Sequence, residues 1–167
     1  MLTKRVYLSL GSNLGDRARN LECAIEALER EEIRVIARSS VYETEPQEIK
    51  QQAWFLNLVI ECETRYFPMQ LLGRVQKIEL EGGRVRPAAM RKGPRTIDID
   101  VLLFGRIVMN SPQLTIPHPS MLARRFVLEP LVEIAPDLKH PETNEPLRGY
   151  LSKVAGQKVR KIEASRA

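Results

Sequence analysis

Two amphipathic helical segments separate the strands predicted for this chain, and this order is the strongest constraint on its fold. Apolar residues recur at helical spacing over residues 16–31, which begin at the predicted N-cap Asp16, and over residues 68–82. Four segments alternate apolar and polar residues as strands do: 4–10, 33–42, 55–63 and 96–104. The order strand, helix, strand, strand, helix, strand predicts an α+β, ferredoxin-like sandwich with helices packed on a mainly antiparallel sheet.

Length and composition limit the number of domains and the class of protein. The chain has 167 residues, of which 43% are hydrophobic and 28% are charged, as in an ordinary globular protein. We predict a single domain over residues 1–167, with no assigned role for a tail at 149–167. No apolar run approaches the roughly 20 residues that span a bilayer, and two cysteines cannot form a disulfide framework. We therefore expect a cytoplasmic monomer with no membrane partner.

Two aspartates share one face of the last predicted strand. Asp98 and Asp100 are two residues apart, so their carboxylates point to the same side about 6.5–7 Å apart along the backbone. Neighbouring carboxylates repel unless a cation lies between them, and Mg²⁺ takes such oxygen ligands together with substrate phosphates. We predict that both aspartates are metal ligands and catalytic residues; the alternative is that they simply face water.

A basic segment precedes this strand. Residues 84–95 hold five basic and no acidic side chains, in a chain whose formal net charge is +5. Arginine forms forked hydrogen bonds with phosphate oxygens, and glycines at both ends of the segment permit the backbone changes of a lid. A polyphosphate lid is therefore favoured over a solvated charged loop, which is the reading of most charge runs.

Other polar and aromatic residues suggest a bound heterocycle and a bound nucleotide. Phe55 and Asn57 share a face by the same two-residue rule, and they offer a ring plane and an amide edge. His118 lies in a fixed turn between Pro117 and Pro119, where it is either structural or a donor to a phosphate. The sequence lacks a P-loop and a dinucleotide-binding glycine motif, so any nucleotide is held in another way.

Several motifs together resemble one known family, the hydroxymethyl-dihydropterin pyrophosphokinases of folate biosynthesis. They occur in the family's order: GSNLG at 11–15, YETEP at 42–46, FLN at 55–57, GRVR at 83–86, GPRTIDID at 93–100 and PHP at 117–119. The resemblance covers roughly residues 6–136, and the GPRTIDID element is very specific. It implies a ferredoxin-like fold and transfer of the β,γ-diphosphate of ATP to the pterin hydroxymethyl group, with release of AMP.

The resemblance also implies roles for individual residues. Two Mg²⁺ ions bind Asp98 and Asp100, and the catalytic arginines Arg84 and Arg95 belong to the lid. Residues expected to contact ATP are Gln76, Arg86, Thr115, His118 and Arg124, while Glu79 occupies a further family position. Residues expected to bind the pterin are Thr44, Pro46, Phe55, Asn57 and Phe126.

Two other function classes stay open on the residues alone. A nucleic-acid-binding module on a ferredoxin-like sheet suits the sequence pI of about 9.4, but the sequence lacks the aromatic RNP-like pattern of such modules. A metal-dependent nuclease uses the same carboxylates and arginines, but it leaves Phe55 and Asn57 unexplained. We therefore expect small-molecule partners, ATP and the pterin, and no nucleic acid.

Overall fold

The computed structural model describes residues 2–46, 53–82 and 96–162. The strands are β1 (Lys4–Ser12), β2 (Arg34–Arg38), β3 (Tyr42–Thr44), β4 (Phe55–Thr64), β5 (Asp98–Phe104), β6 (Met109–Asn110), β7 (Thr115–Ile116) and β8 (Val159–Lys161). The α-helices are α1 (Arg17–Arg30), α2 (Pro68–Glu81) and α3 (Arg125–Ile134), and Met121–Ala123 and Leu147–Val154 form 3-10 helices. No helix in these described ranges is long and apolar enough to cross a membrane.

The main sheet has β1 at its centre, paired with β4 on one side and with β5 on the other. The strand order is β5-β1-β4-β3-β8, β2 also pairs with β4, and every pairing is antiparallel. The β1–α1–(β2, β3)–β4–α2–β5 order confirms the predicted ferredoxin-like α+β fold. A separate two-stranded sheet joins β6 to β7.

The two predicted long helices begin where the sequence signals place them. The side chain of Asp16 accepts a hydrogen bond from the backbone N–H of Arg19 (3.2 Å), which caps α1. Pro68 is the first residue of α2, where its missing N–H costs no helical hydrogen bond. Both helices bury their apolar side against the sheet, with Leu21 and Leu28 from α1 and Leu71 from α2 almost completely buried.

The prediction of one strand over residues 33–42 is wrong, because the structure divides it into β2 and β3. Ser39 separates them: its N–H donates to the carbonyl of Val59 (2.9 Å), and its hydroxyl accepts from the N–H of Val59 (3.0 Å). The serine side chain thus takes the place of a ladder acceptor and allows a break. In contrast, β1 extends beyond the predicted strand 4–10 through Gly11 and Ser12, because both residues pair with β4.

The sheet separates two apolar cores. On one face, β1, β4 and β5 pack against α1 and α2, with Val6, Leu8, Leu58 and Phe104 fully buried. On the other face, Val59 and its neighbours pack against α3 and the 3-10 helix Leu147–Val154. Among the described residues, this second layer packs on only part of its face; the remaining part, here called the open face, carries the candidate site.

The C-terminal residues, for which the sequence suggested no role, complete the fold. Leu147 and Val154 are buried in the second core. Strand β8 then pairs with β3, with Lys161 opposite Tyr42 and Val159 opposite Thr44. The described part of the predicted tail is therefore an edge of the main sheet.

Truncation of a buried residue tests this core. Ile60 is fully buried in β4, whereas Ile36 in β2 is 41% exposed. We expect Ile60→Ala to lower the free energy of unfolding by about 2–5 kcal/mol, because it removes buried methyl groups and leaves a cavity. The matched substitution Ile36→Ala is expected to lower it by less than about 1 kcal/mol. Urea denaturation measures both, and equal losses would contradict the assigned core.

Candidate active site

The strand register brings the predicted site residues into rows on the open face of the sheet. Asp98 lies opposite Gly11, and Gly11 lies opposite Asn57. Residues that are paired across an antiparallel ladder point to the same face, so the three share a row that crosses β5, β1 and β4. The next row runs from Asp100 to Ser9. This is the face opposite α1 and α2.

The two aspartates are the first and third residues of β5. Both are partly exposed, while Ile99 between them is buried with the α2 core. Asp98 faces a glycine and Asp100 faces a serine hydroxyl on β1, so this corner of the sheet presents small neighbours and carboxylate oxygens. Such a set leaves space for water and substrate oxygens, and it fits Mg²⁺, which keeps several of both.

No cluster of three or more His, Cys, Asp or Glu side chains suited to a metal occurs in the described residues. An all-protein cage of the zinc or calcium type is therefore not present there. Two carboxylates that leave most of the coordination shell to phosphates and water are the donor set that Mg²⁺ takes in nucleotide sites. The residues present fit the ion expected from the sequence.

Gly11 allows the other polar group of the row to approach β1. A methyl group at Gly11 would lie 2.5 Å from Asn57 Oδ1 and 3.4 Å from the ring of Phe55. The Asn57 Nδ2 donates to Thr44 Oγ1 (2.5 Å), and Asn57 and Thr44 are both almost completely buried. The amide of Asn57 is thus fixed beside the partly exposed Phe55 ring, with Pro46 buried just after β3.

His118 is a neutral hydrogen-bond donor at the rim of this face. Its backbone N–H donates to the carbonyl of Leu102 in β5 (2.9 Å), and its Nδ1 accepts from the N–H of Ser120 (3.1 Å). Because Nδ1 is an acceptor, the neutral ring carries its hydrogen on Nε2. Burial and, to a smaller extent, the charge of Arg124 lower the pKa of His118 to about 4, while the charge of Asp98 opposes this shift. Because the charges of Arg124 and Asp98 both act on His118, the three side chains lie near one another.

Arg124 and Phe126 form the opposite wall, at the start of α3. Arg124 is the extended N-cap residue of that helix (φ −124°, ψ 112°). Its guanidinium carbon lies 5.5 Å from the centroid of the Phe126 ring, within the range of a cation–π contact. Both residues are partly exposed, and the guanidinium lies over the ring.

The edge of β5 that faces away from β1 makes a contact that the sequence did not predict. Glu79 of α2 is buried, and its Oε2 accepts from the N–H of Ile99 (2.8 Å), between the two aspartates. Gln76 precedes Glu79 by three residues on the exposed surface of α2, so the two lie on the same side of the helix. Thr115, in β7, is partly exposed and donates to Asn110 Oδ1 (3.1 Å).

Strand β3 is anchored to the wall of α3 by a carboxylate. Glu133 accepts from the hydroxyl of Tyr42 (2.6 Å) and from both the N–H and the hydroxyl of Ser40 (2.9 and 2.8 Å). Burial and this contact raise the pKa of Tyr42, so its phenol remains a donor. Sequence patterns missed the pair because 91 residues separate its members.

An ion-pair network also joins β3 to the start of β4. Arg17 donates to Glu43 (3.1 Å) and to the carbonyl of Trp54 (2.8 Å), and Arg160 of β8 also pairs with Glu43. Burial disfavours the charged form of Glu43, but the two arginines outweigh it and hold its pKa below the usual value. A lone arginine at a helix start gives no signal of this role in the sequence.

Most of the predicted site residues lie on the open face or beside β5, and the others lie outside the described ranges. The structure brings Asp98, Asp100, Asn57, Thr44, Phe55, His118, Arg124 and Phe126 to the open face, and it places Gln76 and Thr115 on elements beside β5. Arg84, Arg86 and Arg95, with the predicted lid, lie outside the described residues. The open face thus offers a carboxylate pair, a neutral imidazole donor, an arginine and two aromatic rings.

Known proteins resemble the chain in sequence and in fold. It is 46% identical over 158 residues to the folic acid synthesis protein fol1 of Schizosaccharomyces pombe, which covers 94% of this chain and 21% of that protein. The chain thus spans about a fifth of that relative. It is 44% identical over 142 residues to the 2-amino-4-hydroxy-6-hydroxymethyldihydropteridine pyrophosphokinase of Pseudomonas aeruginosa, which covers 84% of this chain and 86% of that enzyme.

A solved structure has the same fold at low identity. The wild-type HPPK-DHPS of Plasmodium falciparum, crystallised with pteroate, superposes with a TM-score of 0.73 and 17% identity over 91% of this chain and 44% of that one. The sequence profile of 7,8-dihydro-6-hydroxymethylpterin-pyrophosphokinase (HPPK) matches residues 7–136. The matched residues include both aspartates, His118, Arg124 and the Phe55–Asn57 pair, and the chain therefore belongs to the HPPK family.

Proposed function

We propose that this chain transfers the β,γ-diphosphate of ATP to the hydroxymethyl group of 6-hydroxymethyl-7,8-dihydropterin and releases AMP, a step of folate biosynthesis. The observation that carries the proposal is one row of the sheet, in which Asp98 and Asn57 face the same side across Gly11. In this proposal the Asp98 end of the row would bind a metal ion with phosphates, and the Asn57 end would bind a flat heterocycle. Membership of the HPPK family supports the same activity.

The pterin is expected to bind at the Asn57 end of the row. Phe55 and Phe126 supply ring planes for the heterocycle, and aromatic faces stack favourably on such rings. Asn57 donates to Thr44, which orients its Oδ1 as the remaining acceptor for an N–H on the pterin edge. Backbone groups from Thr44 to Pro46 are expected to read the rest of that edge.

The triphosphate is expected to bind along β5. His118 offers Nε2–H and Arg124 offers a guanidinium, both suited to phosphate oxygens. Gln76 and Thr115 would contact other parts of the nucleotide. We assign Arg84, Arg86 and Arg95 to the same phosphates from the sequence, where they would act as a lid that offsets charge and excludes water.

Asp98 and Asp100 would hold the two Mg²⁺ ions of this reaction. When bound, these ions supply charge neutralisation at the phosphates and lower the pKa of the attacking hydroxyl. The protein's own residues do the rest by positioning the two substrates.

The chemical step exchanges one phosphorus–oxygen bond for another. The pterin hydroxyl oxygen forms a bond to the β-phosphorus, and the bond from that phosphorus to the α,β-bridging oxygen breaks. AMP leaves with the electron pair, and the hydroxyl proton is released. His118 does not take this proton, because Nδ1 is engaged with Ser120 and Nε2 already carries hydrogen. Arg124 beside the phosphates would stabilise the negative charge that accumulates as AMP departs.

A two-substrate assay tests the proposed activity. We expect AMP to form from MgATP only when 6-hydroxymethyl-7,8-dihydropterin is added, with one pterin diphosphate formed for each AMP. Separation of nucleotides and pterins by chromatography measures both products. AMP formation without the pterin would contradict transfer to the pterin hydroxyl, and cleavage of RNA or DNA by the purified chain would support the nuclease alternative instead.

Neutralising either aspartate tests the carboxylate pair. We expect Asp98→Asn and Asp100→Asn each to slow AMP formation by at least about a hundredfold, because each removes a charge from the metal corner. Their Tm should not fall, since relief of repulsion between neighbouring carboxylates offsets lost contacts.

Asp137→Asn is the matched control, because Asp137 has a side chain that is 94% exposed. It should retain full activity. Near wild-type turnover in both the Asp98 and Asp100 variants would refute the metal assignment.

The protonation state of His118 gives a third test. We expect the imidazole NMR signals of His118 in the metal-free, ATP-free protein to stay constant down to about pH 5, because its pKa is about 4. Arg124→Ala should raise this pKa, since removal of the neighbouring cation favours the imidazolium. Spectra of His118→Gln assign the signals, and a midpoint near the ordinary value for histidine would contradict the neutral donor.

A further inference from the structure

We propose that Gln157 is a positioning residue for Arg124, and that the C-terminal segment 155–161 joins the two walls of the site through it. One wall is the start of α3, with Arg124 and Phe126, and the other is β3. This inference rests on the proposed function only in assigning Arg124 to ATP. The family profile stops at residue 136, before this segment.

The side chain of Gln157 bridges the two peptide groups on either side of Arg124. Its Nε2 donates to the carbonyl of Ala123 (2.8 Å), and its Oε1 accepts from the N–H of Arg125 (2.9 Å). These two peptide groups set φ and ψ of Arg124. One amide therefore fixes the backbone angles of Arg124 and the direction in which its side chain leaves the chain.

Arg124 benefits from this support because its own side chain does not cap the helix. It is the N-cap of α3 in an extended conformation, and it makes no side-chain capping hydrogen bond. An arginine at that position is a poor N-cap, since its side chain has no acceptor for the first N–H groups of the helix. Gln157 provides from a distance what a serine or aspartate at the cap would provide locally.

Arg125 also donates hydrogen bonds to the C-terminal segment. Its Nη1 donates to the carbonyls of Ala155 (3.1 Å) and Gln157 (2.8 Å), and its Nε donates to Glu129 one turn along α3 (3.0 Å). Four hydrogen bonds therefore link residues 123–125 to residues 155–157. Each of these bonds joins the side chain of Gln157 or Arg125 to a backbone group of the other segment. A shift of one segment along the other would therefore break several of them.

The residues that follow Gln157 bind the other wall. The carbonyl of Lys158 accepts from the N–H of Glu45 (3.2 Å), and β8 then pairs with β3 along its length. Arg160 pairs with Glu43. A groove of about 540 Å³, lined among others by Trp54, Arg125 and Gln157, lies beside this segment.

The geometry gives a specific energetic expectation. If Gln157 acts by holding Arg124, its loss weakens ATP binding only as long as Arg124 is present. Two residues that act through one contact are non-additive in a double-mutant cycle, whereas a general loss of stability adds to any other loss. The cycle therefore separates positioning from a structural role.

The experiment measures the Kd of MgATP by titration calorimetry in the full chain, without pterin. We expect Gln157→Ala to raise this Kd about five- to tenfold and Arg124→Ala to raise it at least as much. The double variant Gln157→Ala/Arg124→Ala should bind no more weakly than Arg124→Ala alone. Gln157→Glu, which keeps the acceptor and loses the donor to Ala123, should also weaken binding, and it replaces Gln157→Ala if that variant does not fold.

Arg148→Ala is the matched control. Arg148 also makes two hydrogen bonds near the C-terminus, to the carbonyl of Pro136 (2.7 Å) and to Asp137 (2.9 Å), but neither partner lies in the site. Its Kd for MgATP should equal the wild-type value.

Additive losses in the cycle, an equal loss in Arg148→Ala, or wild-type binding in both Gln157 variants would each overturn the proposal. A wild-type chain that binds MgATP but forms no AMP with the pterin would instead refute the proposed function and leave the binding cycle valid.

Discussion

The site depends on the register of β1 against both of its neighbours. Because side chains alternate between the faces of a strand, a slip of one residue would send the aspartates into the α1–α2 core and bring apolar residues to the open face. Burial of Leu8 and Leu10 from β1 against that core resists such a slip. The same hydrophobic contacts that stabilise the sheet therefore also place Asp98 and Asn57 in one row.

The open face exists because the second layer is short. Helix α3 has 10 residues, and it begins beside the site with Arg124 and Phe126 instead of crossing it. The 3-10 helix and β8 then return the chain to β3. The candidate site is thus bordered by elements from three distant parts of the sequence. Contacts between these elements, such as Tyr42 with Glu133 and Gln157 with the start of α3, fix their relative positions.

Periodicity predicted the order of helices and strands and the face shared by Asp98 and Asp100, because these properties are local. It could not locate the break at Ser39, where a side-chain hydroxyl replaces a backbone acceptor from another strand. Nor could it predict the function of Gly11, which depends on the close approach of Asn57 from β4. Sequence patterns assigned no role to the C-terminal tail, since its Arg160 pairs with Glu43, which is 117 residues away.

In the proposed reaction, the placement of the charges would let one site hold Mg²⁺ at its carboxylates and phosphates at its cations. A neutral His118 suits a position near both Asp98 and Arg124, because an imidazolium would be repelled by the arginine and would compete with a metal ion for the aspartate. Burial supplies that neutrality and outweighs the opposing pull of Asp98, so the pKa falls to about 4. In the proposed reaction, the neutral imidazole would donate to a phosphate without adding a positive charge to the site.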